Sequence, residues 1–481
     1  MPEFICDVEV PSVQLTHFWE RCVGSGHSTL ALRADYQAHL KRCVQELGFQ
    51  RVRFHGWFLD EMSLMFSKAG EYRYSFLNAD RIIDFFESIS VSPFVELSFM
   101  PSCLASGRKT VFTYRGNVTP PLDHRSWQSA VKALLSHWRG VYGSTTMANW
   151  FFEVWNEPNW PPFWTGTQAD YFKLYRCTAE TVKEVDPMLN VGGPATAQSK
   201  WIPEFTNYCQ RNHAPLDFVS THHYPNDPPL NKADQETAGQ LAAGRRSQLN
   251  DEIRDVKRNT SKPLFYTEWN TSSDSRDSLH DEAYAAAFIV KTLLEANGLV
   301  ELYSFWVFSD LFAETDFESR PFHGGFGLMT VHGISKPSYR AFQLLKELGN
   351  ELLVSDGIHP TVDAWFVRNK EGLAVMLTNG ALPKHEIAEE RVRIKLHQTR
   401  RPANISVQRI DADHANPLRA WREMGSPEYL TPEQVDRLED ASRLRTERLP
   451  FRQIHRGIEF EITMPAHSVA MATIDFTSVD N

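Results

Sequence analysis

Between residues 17 and 348 short apolar runs alternate with longer amphipathic ones. The runs at 50–56 (QRVRFHG), 92–99 (SPFVELSF), 151–155 (FFEVW), 216–224 (LDFVSTHHY) and 263–270 (PLFYTEWN) are too short for helices and lack a consistently polar face. That pattern predicts strands buried on both sides. With 17–24, 189–194 and 300–310 they make eight. Between them apolar residues recur at helical spacing, which predicts helices over 28–48, 78–89, 123–143, 167–187, 200–212, 238–259, 279–298 and 335–348. Ser28 is a plausible cap for the first of these and Gly48 a stop. Eight strands, each followed by a helix, predict an α/β chain whose residues 14–348 form a closed (β/α)8 TIM barrel rather than an open doubly wound sheet. No G-x-G-x-x-G follows the first strand, which removes the usual dinucleotide reading.

The texture changes near residue 349. Short β-runs such as AWFVRN, GLAVMLTNG, RVRIKLH and GIEFEITMP, separated by turns, predict an antiparallel β-sandwich. A polar, helix-prone insert interrupts it near 414–450. The N-terminal FICDVEVP precedes the first barrel strand and is β-like. It is expected to add a strand to the sandwich, so that 1–13 and 349–481 together make an accessory domain.

Composition narrows the partners. A net charge of −10 with both signs mixed along the chain gives no basic patch for nucleic acid. The 13 Trp, 31 Phe and 14 Tyr suit either a carbohydrate enzyme, whose rings stack on sugar faces, or any large well-packed barrel. The six cysteines form no C-x-x-C or zinc spacing and are expected as buried free thiols. No run approaches the ~20 apolar residues of a membrane span, and the N-terminus has no signal-like apolar region. A cytoplasmic enzyme with a small neutral partner is the simplest account, its oligomeric state open.

Barrel active sites form at the C-terminal ends of the strands. Those ends supply His55, Phe99, Asn156 with Glu157, His222 with Tyr224, Glu268, and Trp306 with Asp310. Pro158 ends the fourth strand directly behind Glu157, so Asn156 and Glu157 fall where a buried strand turns into a loop. A lone glutamate at a strand end is commonly a cap or salt-bridge residue. Two of them, at the fourth and seventh strand ends, are what glycoside hydrolysis needs: one protonated to serve the leaving oxygen, one ionised to attack or to activate water. Glu157, with apolar Trp155 beside it and Glu268 across from it, is expected to hold its proton near neutral pH. His55 reads equally as a core group or a substrate ligand. His222 and His223 are adjacent on a strand and face opposite sides, with Tyr224 on the side of His222. Trp306 reads as a pocket wall; the NWPPFW loop (159–164) either offers an aromatic to the leaving group or packs. The histidines lack metal-ligand spacing, so neither a metal nor a cofactor is expected.

At these residues the chain resembles glycoside hydrolase family 39, of the bacterial β-xylosidase type. The resemblance is carried by FWERCVGSGH, LGFQRVRFHGWFLDEM, GNVTPP, VWNEPN, DFVSTHHYP, YTEWN, FWVFSD, PFHGGFGL and KPSYRAF, and by DADHANPLRAWREMGSPEYL in the sandwich part. It implies a retaining, exo-acting hydrolase that releases xylose from short xylo-oligosaccharides, with Glu157 as acid/base and Glu268 as nucleophile. It also places His55, Asn156, His222, Tyr224 and Glu314 around the sugar, with Asn156 on the 2-hydroxyl. Ala313 stands where one of two glutamates is expected, which bears on the outer hydroxyls and so on sugar choice. The family includes an α-L-iduronidase; an α-L-arabinosidase or β-glucosidase specificity is the alternative within it, and a non-catalytic carbohydrate-binding barrel the alternative outside it.

Overall fold

A computed structural model describes residues 1–227, 237–369 and 372–476. Its centre is a closed parallel barrel of eight strands: β1 (Val23–His27), β2 (Arg51–His55), β3 (Ser92–Leu97), β4 (Phe151–Val154), β5 (Asn190–Thr196), β6 (Phe218–His222), β7 (Leu264–Trp269) and β8 (Leu302–Phe305). Each pairs with the next, and β8 closes on β1 where Phe305 meets Val23. The (β/α)8 prediction is therefore met, with local differences that have physical causes. The first strand is Val23–His27, so it shares only its first two residues with the expected 17–24. His17 is in the left-handed region (φ 47°), and Phe18–Glu20 form a 3-10 turn whose Phe18 and Trp19 are buried near β8. The helix expected at 28–48 is a 3-10 turn (Ser28–Leu32) followed by a helix at Ala34–Leu47. Ser28 does not cap that helix; its hydroxyl donates to the Gly56 carbonyl. Gly48 does end it, at φ 81°. The segment expected at 238–259 holds two helices, Thr237–Leu241 and Gln248–Lys257.

The N-terminal end of the barrel is plugged by rings. Phe94, Phe151, Phe218 and Phe265 pack together with centroids 4.6–6.3 Å apart, beside Cys22 and Leu302. Gly192 of β5 makes room for them, since a Cβ there would lie 2.5 Å from the Phe218 ring.

Two sheets formed mainly by the C-terminal part face each other across a separate apolar core that includes Phe366, Val375, Leu377, Ile394, Phe460 and Ile474. One has seven strands, ordered Ser12–Gln14, Glu351–Leu353, Val362–Arg368, Gly372–Asn379, Ser468–Asp475, Asn404–Ile410 and Thr446–Arg448, all antiparallel. The other has four. In it Glu3–Asp7 runs parallel to Glu390–His397, so the sandwich is antiparallel except at this edge. Alternation along Gly372–Asn379 explains how the sheets sit on the barrel. Leu373, Val375 and Leu377 face the sandwich core, while Ala374 and Met376 join the barrel's core. The helix Ala283–Glu295 is covered on one side by the barrel and on the other by this sheet, and it is buried from Ala283 to Leu294. The helix-prone insert forms Pro417–Glu423, capped by Asn416, and Pro432–Ser442, capped by a Thr431–Gln434 capping box. Their Leu418, Trp421 and Leu438 pack on Phe322 and Ile334, in the segment that follows β8.

Candidate active site

The C-terminal end of the barrel buries a cluster of charges. Arg53, inside β2 and fully buried, is its centre. Its Nε donates to Glu153 at 2.6 Å and its Nη1 to Glu268 at 2.7 Å. Its Nη2 donates to Asn156 Oδ1 at 2.9 Å and lies 2.8 Å from Glu96. Three carboxylates would be costly to bury without such a partner. His55, at the tip of β2, sits 2.7 Å from Glu96 through Nδ1, with Nε2 3.6 Å from Glu314. Burial pulls His55 down, but Glu96, by charge and hydrogen bond, and Glu268 and Glu314 outweigh it, so its pKa is raised. Burial works against the charged form of Glu96 too, yet His55 and Arg53 hold it below the usual carboxylate range.

Glu157 arrives by a backbone twist at the end of β4. Trp155 (φ 72°) and Glu157 (φ 42°) both occupy the left-handed region, a strained choice for side chains of this size. The twist is held by Glu157 N–H to the Ala195 carbonyl at 2.8 Å and by the Trp155 indole N–H to the Phe163 carbonyl at 2.8 Å. Glu268 arrives by a register shift. Pairing of β7 is irregular on both sides near its end, which lets Thr267 and Glu268, adjacent in sequence, both bond groups at the barrel's centre. The Glu157 and Glu268 carboxylates have oxygens within 4.8 Å of each other. Burial first, then the charges of Glu268 and Asp227, push Glu157 well above the ordinary glutamate value. Tyr224 donates its hydroxyl to Glu268 at 3.1 Å.

Trp306 is buried beside His55, ring centroids 4.9 Å apart, and with Phe99, Phe112, Phe163 and Tyr114 it belongs to a continuous set of aromatic contacts. Glu314 is brought in by a loop contact in which Thr113 N–H donates to the Glu314 carbonyl, while the Thr113 hydroxyl donates to that of Ala313. Burial raises Glu314 to about 8, against the opposing charge of His55. His222, expected around the sugar, lies beside both carboxyls, its Nδ1 3.7 Å from Glu268 Oε2. Both its ring nitrogens are engaged by protein, Nδ1 by Glu157 at 3.0 Å and Nε2 by Thr267 at 3.1 Å. His223 points the other way, to Tyr303 and Glu252.

Glu157, His222 and Glu268 are also the one group among the described residues close enough to share a cation. Its chemistry fits poorly: Arg53 is already ion-paired with Glu268, and Glu157 favours its protonated form. The sequence reading overlooked Arg53, Glu96 and Glu153, although a charge in the middle of an otherwise apolar strand was a visible signal. It also overlooked His27 and Tyr114. Their rings stack at 4.1 Å, and His27 Nδ1, Tyr114 Oη and Glu314 Oε1 are buried without a hydrogen-bond partner. No local sequence signal marked those two.

A parallel barrel whose fourth and seventh strand ends bring two carboxyls within 4.8 Å, in an aromatic-lined setting, is built to cleave glycosidic bonds. The chain belongs to family 39 of the glycosyl hydrolases, whose family model matches residues 5–456. It is 44% identical over 469 residues to a β-xylosidase of Caldicellulosiruptor saccharolyticus, covering 96% of each chain. It is 37% identical over 451 residues to a β-xylosidase of Geobacillus stearothermophilus, covering 90% of this chain and 88% of that one. The crystal structure of a monomeric β-xylosidase from Caulobacter crescentus matches with a TM-score of 0.86 at 30% identity, over 99% of this chain and 100% of that one.

Proposed function

We propose that the protein is a retaining, exo-acting β-xylosidase that releases xylose from the non-reducing ends of short xylo-oligosaccharides. The observation that carries the retaining assignment is the carboxyl spacing. Retaining glycosidases hold the pair ~5–5.5 Å apart, whereas inverting ones leave ~6.5–9.5 Å for a water; an oxygen of each carboxyl within 4.8 Å of the other favours the retaining arrangement. Glu268, paired with Arg53 and Tyr224, is the nucleophile that attacks the anomeric carbon. Glu157, with its raised pKa, protonates the departing oxygen. Once Glu268 is consumed in the glycosyl-enzyme, its charge no longer opposes ionisation of Glu157, which then takes a proton from the attacking water.

Arg53 holds Asn156 Oδ1, which turns the amide NH2 away from the guanidinium and toward the 2-hydroxyl. His55, Glu314, Tyr114 and His27 are assigned to the outer hydroxyls, since three of their buried polar atoms lack protein partners. Trp306 forms the wall under the ring. Xylose rests on the two relatives that bear that activity in their names and match most of the chain. No described helix is long and apolar enough to cross a membrane. We place the enzyme in the cytoplasm, in keeping with six free cysteines. A panel of p-nitrophenyl glycosides, with product stereochemistry followed by NMR, tests the reading. β-Xylose released first from the β-xyloside supports it. A preference for another sugar, or α-xylose as first product, overturns it.

A further inference from the structure

Neutral His222 carries one ring proton, and its surroundings decide where. Glu153 is the ionised partner of the buried Arg53 guanidinium, its Oε2 taking the Nε–H at 2.6 Å, so its Oε1 is an acceptor as well. The Thr267 hydroxyl therefore gives its single hydrogen to Glu153 Oε1 at 2.8 Å. Its lone pairs then face His222 Nε2 at 3.1 Å, so Nε2 must carry the hydrogen. This leaves Nδ1 as a bare acceptor, 3.0 Å from Glu157 Oε1, and only a protonated Glu157 can satisfy it. Every member of the chain except Glu157, at 7% exposure, is fully buried, so water does not rescue a mismatch.

We propose that Thr267 and Glu153 are positioning residues that fix the tautomer of His222, and that His222 thereby keeps the proton on Glu157 in the resting enzyme. The inference rests on the assignment of Glu157 as acid/base. His222, Thr267 and Glu153 gain and lose no proton during turnover. Glu157 gives its proton to the leaving oxygen and regains one from water, while His222 stays neutral throughout. Burial and the neighbouring charges of Arg53 and His55 keep it so. The other charged or titratable groups facing Glu157 are Glu268, Asp227, Arg53 and Glu314, with Tyr224 beside Glu268. Those carboxylates raise the affinity of Glu157 for a proton through space; the relay adds a directed acceptor.

The test compares Thr267→Val, Thr267→Ser and Glu153→Gln in the full chain. Valine removes the acceptor for Nε2–H. Glutamine, its Oε on Arg53, turns an NH2 toward Thr267 and reverses the hydroxyl, so in both variants the ring proton moves to Nδ1 and stabilises ionised Glu157. The basic limb of kcat/KM on xylobiose is expected to move about one pH unit toward acid in both, and to stay in place in Thr267→Ser. In 15N spectra of ring-labelled histidine, with His222 assigned through His222→Asn, the wild type is expected to show the Nε2–H form. An Nδ1–H form in the wild type, or an unmoved basic limb in valine and glutamine variants that fold, overturns the proposal; if neither folds, the wild-type spectrum decides alone. Failure of the acid/base assignment is read separately. Glu157→Ala would then hydrolyse activated and unactivated xylosides with equal loss, whatever the tautomer of His222.

Discussion

The two ends of the barrel are built from the same eight strands and obey opposite rules. At the N-terminal end four phenylalanines fill the bore with interlocked rings. At the C-terminal end the strands bury Arg53, Glu96, Glu153 and Glu268 around one guanidinium. The ring plug gains from every apolar area it hides. The charged end recovers its desolvation cost only while each partner is present, and replacing such a group with apolar side chains is often neutral or stabilising. Stability is therefore supplied at one end, and the other spends it on chemistry.

This contrast can be broken in order of effect. Glu268→Ala is expected to lower turnover of every substrate by at least about 10^4-fold while the protein stays folded, checked by initial rates and circular dichroism. Glu157→Ala should cost about 10^2–10^4-fold on xylobiose, and far less in the first step with a dinitrophenyl leaving group that needs no protonation. A burst of dinitrophenol in single-turnover kinetics checks it. At the opposite end, Phe265→Ala should leave kcat unchanged well below the unfolding transition yet cost about 3–5 kcal/mol of stability, read from urea denaturation. A loss of activity without a loss of stability there would erase the division between the ends.

The smallest effect is on pH. Folding lifts Asp227 from 3.8 and Glu314 from 4.5 to about 8, so the folded chain binds protons that the unfolded chain has released. Their contribution is fully present below the unfolded values and is lost as pH rises through about 8. Glu314→Gln should flatten the decline of melting temperature across that window.

The barrel was legible because its strands are covered on both faces and read as unbroken apolar runs, and Glu157 and Glu268 because each ends such a run. Position 17–24 misled because Phe18 and Trp19 are apolar for a different reason: they cover the barrel near β8 as a turn. Strand alternation put His222 and His223 on opposite sides, and the family resemblance put His222 at the sugar, but its bonds to Thr267 and Glu157 depend on register shifts in β6 and β7 that no local pattern records. Arg53 and Glu153 were on view as charges inside apolar strands. Reading them required asking where a buried charge finds its counter-ion.

The helix Ala283–Glu295 and the strand Gly372–Asn379, each covered on two sides, also decide what can be cut away. A chain stopped at residue 348 would present that helix's greasy outer flank to water, a ready site for self-association. The catalytic module is thus not a portable cassette: anyone transplanting or trimming it must carry the C-terminal sheets along, or redesign one whole side of a helix.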